Sequence, residues 1–177
     1  IARKLAGESL FMTTYTMKEA SGSIAFSSSF PGKIVPIYLK EGESIICQKN
    51  AFLCAERSVK LAIHLKKKLG AGLFGGEGFI LQKITGPGWC FLEIDGEAVE
   101  YQLEPGEKIK VDTGHVAVFE SSVNFDIEMV KGFTNLFFGG EGLFLTTLQG
   151  PGKVWLQSMP IGNLAARIIP FIPSSSD

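Results

Sequence analysis

The chain has 177 residues, of which 45% are hydrophobic and 20% charged, with mean hydropathy +0.21; that length and apolar content support a sizeable core and exclude disorder as the main organisation. No apolar run reaches the roughly 18 residues of a membrane-spanning helix. Seventeen Lys and Arg against eighteen Asp and Glu leave a net charge of −1, without the electrostatic footprint of a dedicated nucleic-acid binder.

The start, Ile1-Ala2-Arg3-Lys4-Leu5-Ala6-Gly7, has no apolar h-region and no Met, so no signal peptide is expected. Gly7-Glu8-Ser9-Leu10-Phe11, followed by Ser21-Gly22-Ser23, opens a pattern that returns twice. Its fuller copies are Phe74-Gly75-Gly76-Glu77-Gly78-Phe79 with Gly86-Pro87-Gly88, and Phe138-Gly139-Gly140-Glu141-Gly142-Leu143 with Gly150-Pro151-Gly152, 64 positions apart. A second pattern follows the first two copies. Leu39-Lys40-Glu41-Gly42-Glu43-Ser44-Ile45 matches Leu103-Glu104-Pro105-Gly106-Glu107-Lys108-Ile109, and Val59-Lys60-Leu61-Ala62-Ile63 matches Val123-Asn124-Phe125-Asp126-Ile127, again 64 apart.

The local signal throughout is strand. Ile109-Lys110-Val111-Asp112 and residues 123–129 alternate apolar with polar at period two, with Glu-Gly and Pro-Gly at the turns. Val59, Leu61, Ile63 and Leu65 alternate as well, so 58–68 reads as strand rather than helix. A dozen or more short strands predict an all-β fold: stacked antiparallel sheets in a barrel, sandwich or β-helix-like prism. The expected layout is one repeat-built domain over 1–169, with units at about 7–70, 76–134 and a partial 140–169, and a frayed tail over 170–177.

The residues offer little chemistry. Gly70-Ala71-Gly72-Leu73-Phe74-Gly75 spells G-x-G-x-x-G, but the next turn follows too soon for the helix that a pyrophosphate site needs. His64 and His115 read as surface or turn histidines, and Asp112 beside His115 lacks a nucleophile elbow, so no catalytic residue, metal or cofactor is expected. Cys47, Cys54 and Cys90 sit among apolar neighbours and read as reduced thiols, which suits a cytoplasmic protein. Glu8, Glu77 and Glu141 occupy matching points of the three copies. They form either a ring of carboxylates around a pseudo-threefold axis, the candidate interaction site, or three turn-closing side chains; glycine on both sides of Glu77 and Glu141 favours the turn. Lys66-Lys67-Lys68 with Arg3 and Lys4 makes a basic patch or a solvated charge run. Trp89, Trp155 and the phenylalanines default to core packing, with an oligomer contact as the second reading.

Taken in order, Gly7-Glu8-Ser9-Leu10-Phe11, Pro31-Gly32-Lys33-Ile34-Val35-Pro36, Phe74 to Phe79, Val111-Asp112-Thr113-Gly114-His115-Val116, Phe138 to Gly142 and Gly150-Pro151-Gly152-Lys153-Val154-Trp155-Leu156-Gln157 resemble an uncharacterised bacterial and archaeal family. That family is related to the mitochondrial biogenesis protein of the "altered inheritance of mitochondria" group. The resemblance implies a fold like the tryptophan RNA-binding attenuator protein, with stacked sheets and pseudo-threefold symmetry. It implies no catalytic residues, and its mitochondrial relatives bring peripheral membrane association into view. RNA binding does not follow from fold alone.

The expected function is a non-catalytic β scaffold that self-associates and binds a protein or membrane-linked partner. A small-molecule or RNA binding module is the alternative, and an unrecognised enzyme the third reading. Sheet edges and abundant Phe predict a homo-oligomer, a trimer ahead of a dimer. With three copies of one pattern and two of the other, an open edge is expected near 154–157, filled by an upstream β segment.

Overall fold

In the computed structural model the described residues are 3–5, 8–10, 12–18, 21–67, 79–129 and 144–172, with only the backbone described for 3–5, 8–10, 66 and 67. Fourteen strands, one short α-helix and three 3-10 turns make up the regular structure of these residues. A small hairpin pairs β1 (Arg3–Leu5) with β2 (Glu8–Leu10). Then come β3 (Gly32–Leu39), β4 (Ser44–Gln48), β5 (Phe52–Ala55), β6 (Lys60–Lys67), β7 (Phe79–Thr85) and β8 (Gly88–Asp95). They are followed by β9 (Ala98–Leu103), β10 (Lys108–Asp112), β11 (Val116–Glu120), β12 (Asn124–Met129), β13 (Phe144–Gln149) and β14 (Gly152–Gln157), and by α1 (Ile161–Ile168).

All strand pairs are antiparallel. A six-stranded sheet, β6-β7-β4-β11-β14-β9, lies between the three-stranded sheets β3-β8-β5 and β10-β13-β12. Its position follows from side-chain alternation, since successive strand residues point to opposite faces. Ile45 and Cys47 of β4 enter one core with Leu39, Cys90, Leu92 and Ile94 of the β3-β8-β5 sheet. Ile46, between them, enters the other core with Leu148 and Ile127 of the β10-β13-β12 sheet. Because both faces are covered, β4 and β11 are apolar at consecutive positions rather than alternating.

Elements 64 positions apart share their pairing. The order β3-β8-β5 has its counterpart in β9-β14-β11, and β6-β7-β4 in β12-β13-β10. The turns agree in detail. Gly86-Pro87 and Gly150-Pro151 are both cis; the Gly86 amide donates to the Glu43 carbonyl at 3.0 Å, and Gly150 donates to Glu107 at 3.0 Å. Glu43 and Glu107 each accept from the amide three residues back, of Lys40 at 2.8 Å and Glu104 at 2.9 Å. Glu56 accepts from the Trp89 amide at 2.9 Å as Glu120 does from Lys153 at 3.0 Å.

The all-β class holds, and four expectations need correction or refinement. Ile161–Ile168 is helical, and Ile169–Phe171 adds a 3-10 turn that reaches into the expected tail. Residues 12–18 and 21–29 carry no strand, although the pattern at 7–23 reads as a degenerate third copy of the strand-bearing unit. The strands that hold the matching hairpins, β3 to β6 and β9 to β12, already pair with β7, β8, β13 and β14, which leaves that segment without a ladder. No open edge exists at 154–157, because β14 pairs with β11 on one side and β9 on the other. Within 58–68 the strand is β6, Lys60–Lys67, and its register against β7 shifts between Ile63 and Leu65.

Candidate functional site

Glu77 and Glu141 lie outside the described residues, and for Glu8 only its backbone place in β2 is described, so the expected carboxylate ring carries no geometry. The G-x-G-x-x-G stretch at 70–75 also lies outside, as do the side chains of the Lys66-Lys67-Lys68 run. His64 sits on β6 with its ring 6.1 Å from Phe125; burial lowers its pKa, and the Lys83 ammonium lowers it further.

His115 and Asp112 do separate structural work. Asp112 caps the 3-10 turn Thr113–His115 by accepting the Gly114 amide at 2.9 Å. The His115 ring meets the Gln157 carbonyl through Nδ1 at 2.7 Å and the Asn163 amide group through Nε2 at 3.2 Å. Around them Gln157 Nε2 donates to the Gly114 carbonyl at 2.7 Å, and Gln48 Nε2 to the Val116 carbonyl at 2.6 Å. Thr146 donates to Thr113, which donates to the Phe144 carbonyl, both at 2.9 Å. These bonds satisfy polar atoms where β4, the 3-10 turn before β11, β13, β14 and α1 meet. Among the described residues no group of three His, Cys, Asp or Glu side chains converges as a metal site would require.

The cysteines are free thiols; Cys47 and Cys90 are buried and Cys54 is half-buried. Burial pushes the Cys47 thiol far up and Cys90 up to about 11, with repulsion from Cys90 adding at Cys47 and from Cys54 adding at Cys90; burial also raises Cys54. Thiolate is the reacting form, so an alkylating reagent at pH 8 is expected to label Cys54 first and slowly. Cys47 and Cys90 are expected to react only on unfolding. Mass spectrometry of native protein checks this, and early labelling of Cys47 would contradict it.

Two surfaces remain as candidates. The first is a pair of strand edges. The six-stranded sheet is joined at β4·β11, where Val118, Phe119 and Glu120 stand opposite Cys47, Ile46 and Ile45, and the Ser121 amide donates to the Ser44 carbonyl at 3.1 Å. The counterparts of these joining strands, β10 and β5, are end strands of their sheets among the described residues. The second is the outer face of β3-β8-β5, where a cleft of about 310 Å³ is lined by Pro36, Glu56, Trp89 and Phe91. Trp155 is buried at 7% exposure, as expected, but Trp89 is 42% exposed. Sequence reasoning missed that difference, since alternation assigns a residue to a face without saying which face is covered.

Comparison with known proteins adds a family. The family model described as "Mitochondrial biogenesis AIM24" matches residues 1–159. An uncharacterised protein of Streptococcus pyogenes serotype M6 is 28% identical over 174 residues, covering 98% of this chain and 68% of the relative. A crystal structure of a Streptococcus pyogenes protein matches 82% of this chain with a TM-score of 0.67 at 23% identity. The match spans 63% of the length of that solved chain.

Proposed function

The chain belongs to the mitochondrial biogenesis AIM24 family, and we propose that it is a non-catalytic β scaffold, built on two copies of one 64-residue unit, that assembles by adding strands to its sheets. The observation that carries this reading is the β4·β11 joint together with its two unfilled counterparts. The β4 edge of the first block takes the β11 edge of the second, while β10 and β5, which repeat those strands, end their sheets among the described residues. An unpaired edge offers a row of backbone donors and acceptors to another chain. The β10 edge of one copy and the β5 edge of another can therefore repeat the internal joint.

Such a head-to-tail contact joins unlike surfaces, and when the rotation closes it gives a ring. A trimer is the expected size, which sets six such units around the ring. A protein or membrane-linked partner that presents a strand would use the same edges. Sedimentation equilibrium at low micromolar concentration is expected to return the mass of an oligomer, and a monomer mass throughout would contradict the self-association reading. The alternative, a small-molecule or RNA module, has the net charge of −1 against it for RNA. It would reveal itself by retention of RNA on a filter with a steep salt dependence.

A further inference from the structure

The outer face of β3-β8-β5 differs from its repeat in both residues and surroundings. The counterparts of Pro36, Tyr38 and Trp89 are Glu100, Gln102 and Lys153. In the second block these positions are polar, and Lys153 Nζ lies 2.8 Å from Glu100. In the first block the same positions hold an exposed aromatic pair. Tyr38 and Trp89 are 52% and 42% exposed, with ring centroids 5.3 Å apart in an edge arrangement. Phe91, 6.5 Å from Trp89, extends the strip, and Glu56 supplies the one carboxylate that lines the cleft. The Lys-Glu pair stands on the face of β9-β14-β11 that Trp155 turns toward the first block, whereas the aromatic strip stands on a face that no described sheet covers, which leaves apolar surface open to a partner.

The described residues include a second exposed apolar feature of matching kind. In α1, Ile161, Leu164 and Ile168 fall on one stripe by helical spacing, and Phe171 and Ile172 follow closely. Ile161, Ile168, Phe171 and Ile172 are 58%, 48%, 85% and 61% exposed, and no residue of α1 is buried. Arg167, beside the stripe, is the single charge over residues 161–172. The start of the helix is tethered by the Ile161 amide on Asp95 Oδ2 at 3.0 Å. Asp95 ends β8, and six residues along a strand put it roughly 20 Å from Trp89, so the stripe and the cleft of one copy stand apart.

We propose that the cleft of Pro36, Glu56, Trp89 and Phe91 receives the apolar stripe of α1 and Phe171 from a second copy of this chain, with Arg167 facing Glu56. Charge complementarity selects this occupant: one carboxylate borders the cleft, and one cation borders the stripe. A lipid surface fits less well, because an interfacial helix carries several Lys or Arg along its polar face and this one has Arg167 alone. The contact uses residues other than the strand edges, so it stands or falls separately from strand addition.

Two variants and a peptide test it. Trp89→Lys copies the residue that the second block already holds at this position, and the double variant Ile168→Ser with Phe171→Ser changes exposed side chains, so both are expected to fold. Each is expected to weaken association at least tenfold in sedimentation equilibrium, and mixing the two is expected to restore one contact, because each retains the surface the other has lost. A synthetic peptide of residues 160–177 is expected to shift the tryptophan emission of the wild-type chain and to leave that of W89K, which keeps only buried Trp155, unchanged. No peptide effect, or association equal in wild type and both variants, overturns the proposal while leaving strand addition intact. Binding of wild type to phosphatidylglycerol vesicles that is lost in the double variant, with no peptide effect, overturns it in favour of a membrane contact.

Discussion

Alanine at Gly86 or at Gly150 is expected to destabilise the fold by about 3 kcal/mol or more, and by closely similar amounts at the two sites. A Cβ built at Gly86 would lie 2.4 Å from the Lys40 carbonyl oxygen and 2.7 Å from that of Leu39. At Gly150 the same atom would lie 2.4 Å from the Glu104 oxygen and 2.7 Å from that of Leu103. The obstacles are backbone, which has no rotamer to move to, and the glycine amides are held by Glu43 and Glu107. Gly42 and Gly106 provide the control. They adopt φ of +81° and +84° with open space around them, so alanine there costs only the left-handed strain of about 1–2 kcal/mol. Urea midpoints at constant slope measure all four; unequal losses at Gly86 and Gly150 would show that the two turns are not the same structure.

Truncating Phe119 to alanine is expected to cost about 3–5 kcal/mol, the range for a buried aromatic. Its side chain is 1% exposed, its ring centroid lies 5.3 Å from that of Phe125, and it stands opposite Ile46 across the joint. The counterpart position holds Ala55, which is half-buried on β5, so Ala55→Phe, which restores the other block's residue, is expected to cost less than about 1 kcal/mol. The contrast arises from surroundings rather than from the strand itself: β11 is closed in by β4 and β14, whereas β5 has β8 alone among the described strands. Thermal and chemical unfolding of the two variants read it directly.

Much of this arrangement is legible in the amino-acid order, for reasons that differ by element. The turns at 39–45 and 103–109 declare themselves through Gly42 and Gly106, and β10, β12 and β6 through strict alternation with one face wet. The β4·β11 joint is not legible. Ser44-Ile45-Ile46-Cys47 and Val116-Ala117-Val118-Phe119 are apolar on both faces, and nothing local says which distant strand each one meets. Helix α1 hides behind its length, because eight residues after Pro160 hold barely two turns of periodicity. The exposed Trp89 is invisible for a third reason. Its strand pattern matches that of Trp155, but Trp155 packs with Leu39, Ile45 and Leu92 of the first block, and exposure is decided by that neighbouring sheet.

The pairing at 7–28 shows the limit of a repeat argument. Gly7-Glu8-Ser9-Leu10-Phe11 matches the later copies in sequence, yet residues 12–18 lie outside any strand and Met12, Tyr15 and Met17 are 46%, 63% and 53% exposed. A hairpin is only marginally stable without further strands beside it. In the two later copies the hairpin is clasped on each side by the strands that precede it, so the matching sequence alone does not fix the pairing.

Hydrogen exchange at the outward amides of Phe52–Ala55 and Lys108–Asp112, followed across protein concentration, tests the scaffold account most directly. Strand addition at these edges predicts slow exchange at high concentration that becomes fast on dilution, while Ile45–Cys47 and Val118–Glu120, paired within the chain, stay protected throughout. Fast exchange at both edges at every concentration, in protein that otherwise remains folded, would contradict it.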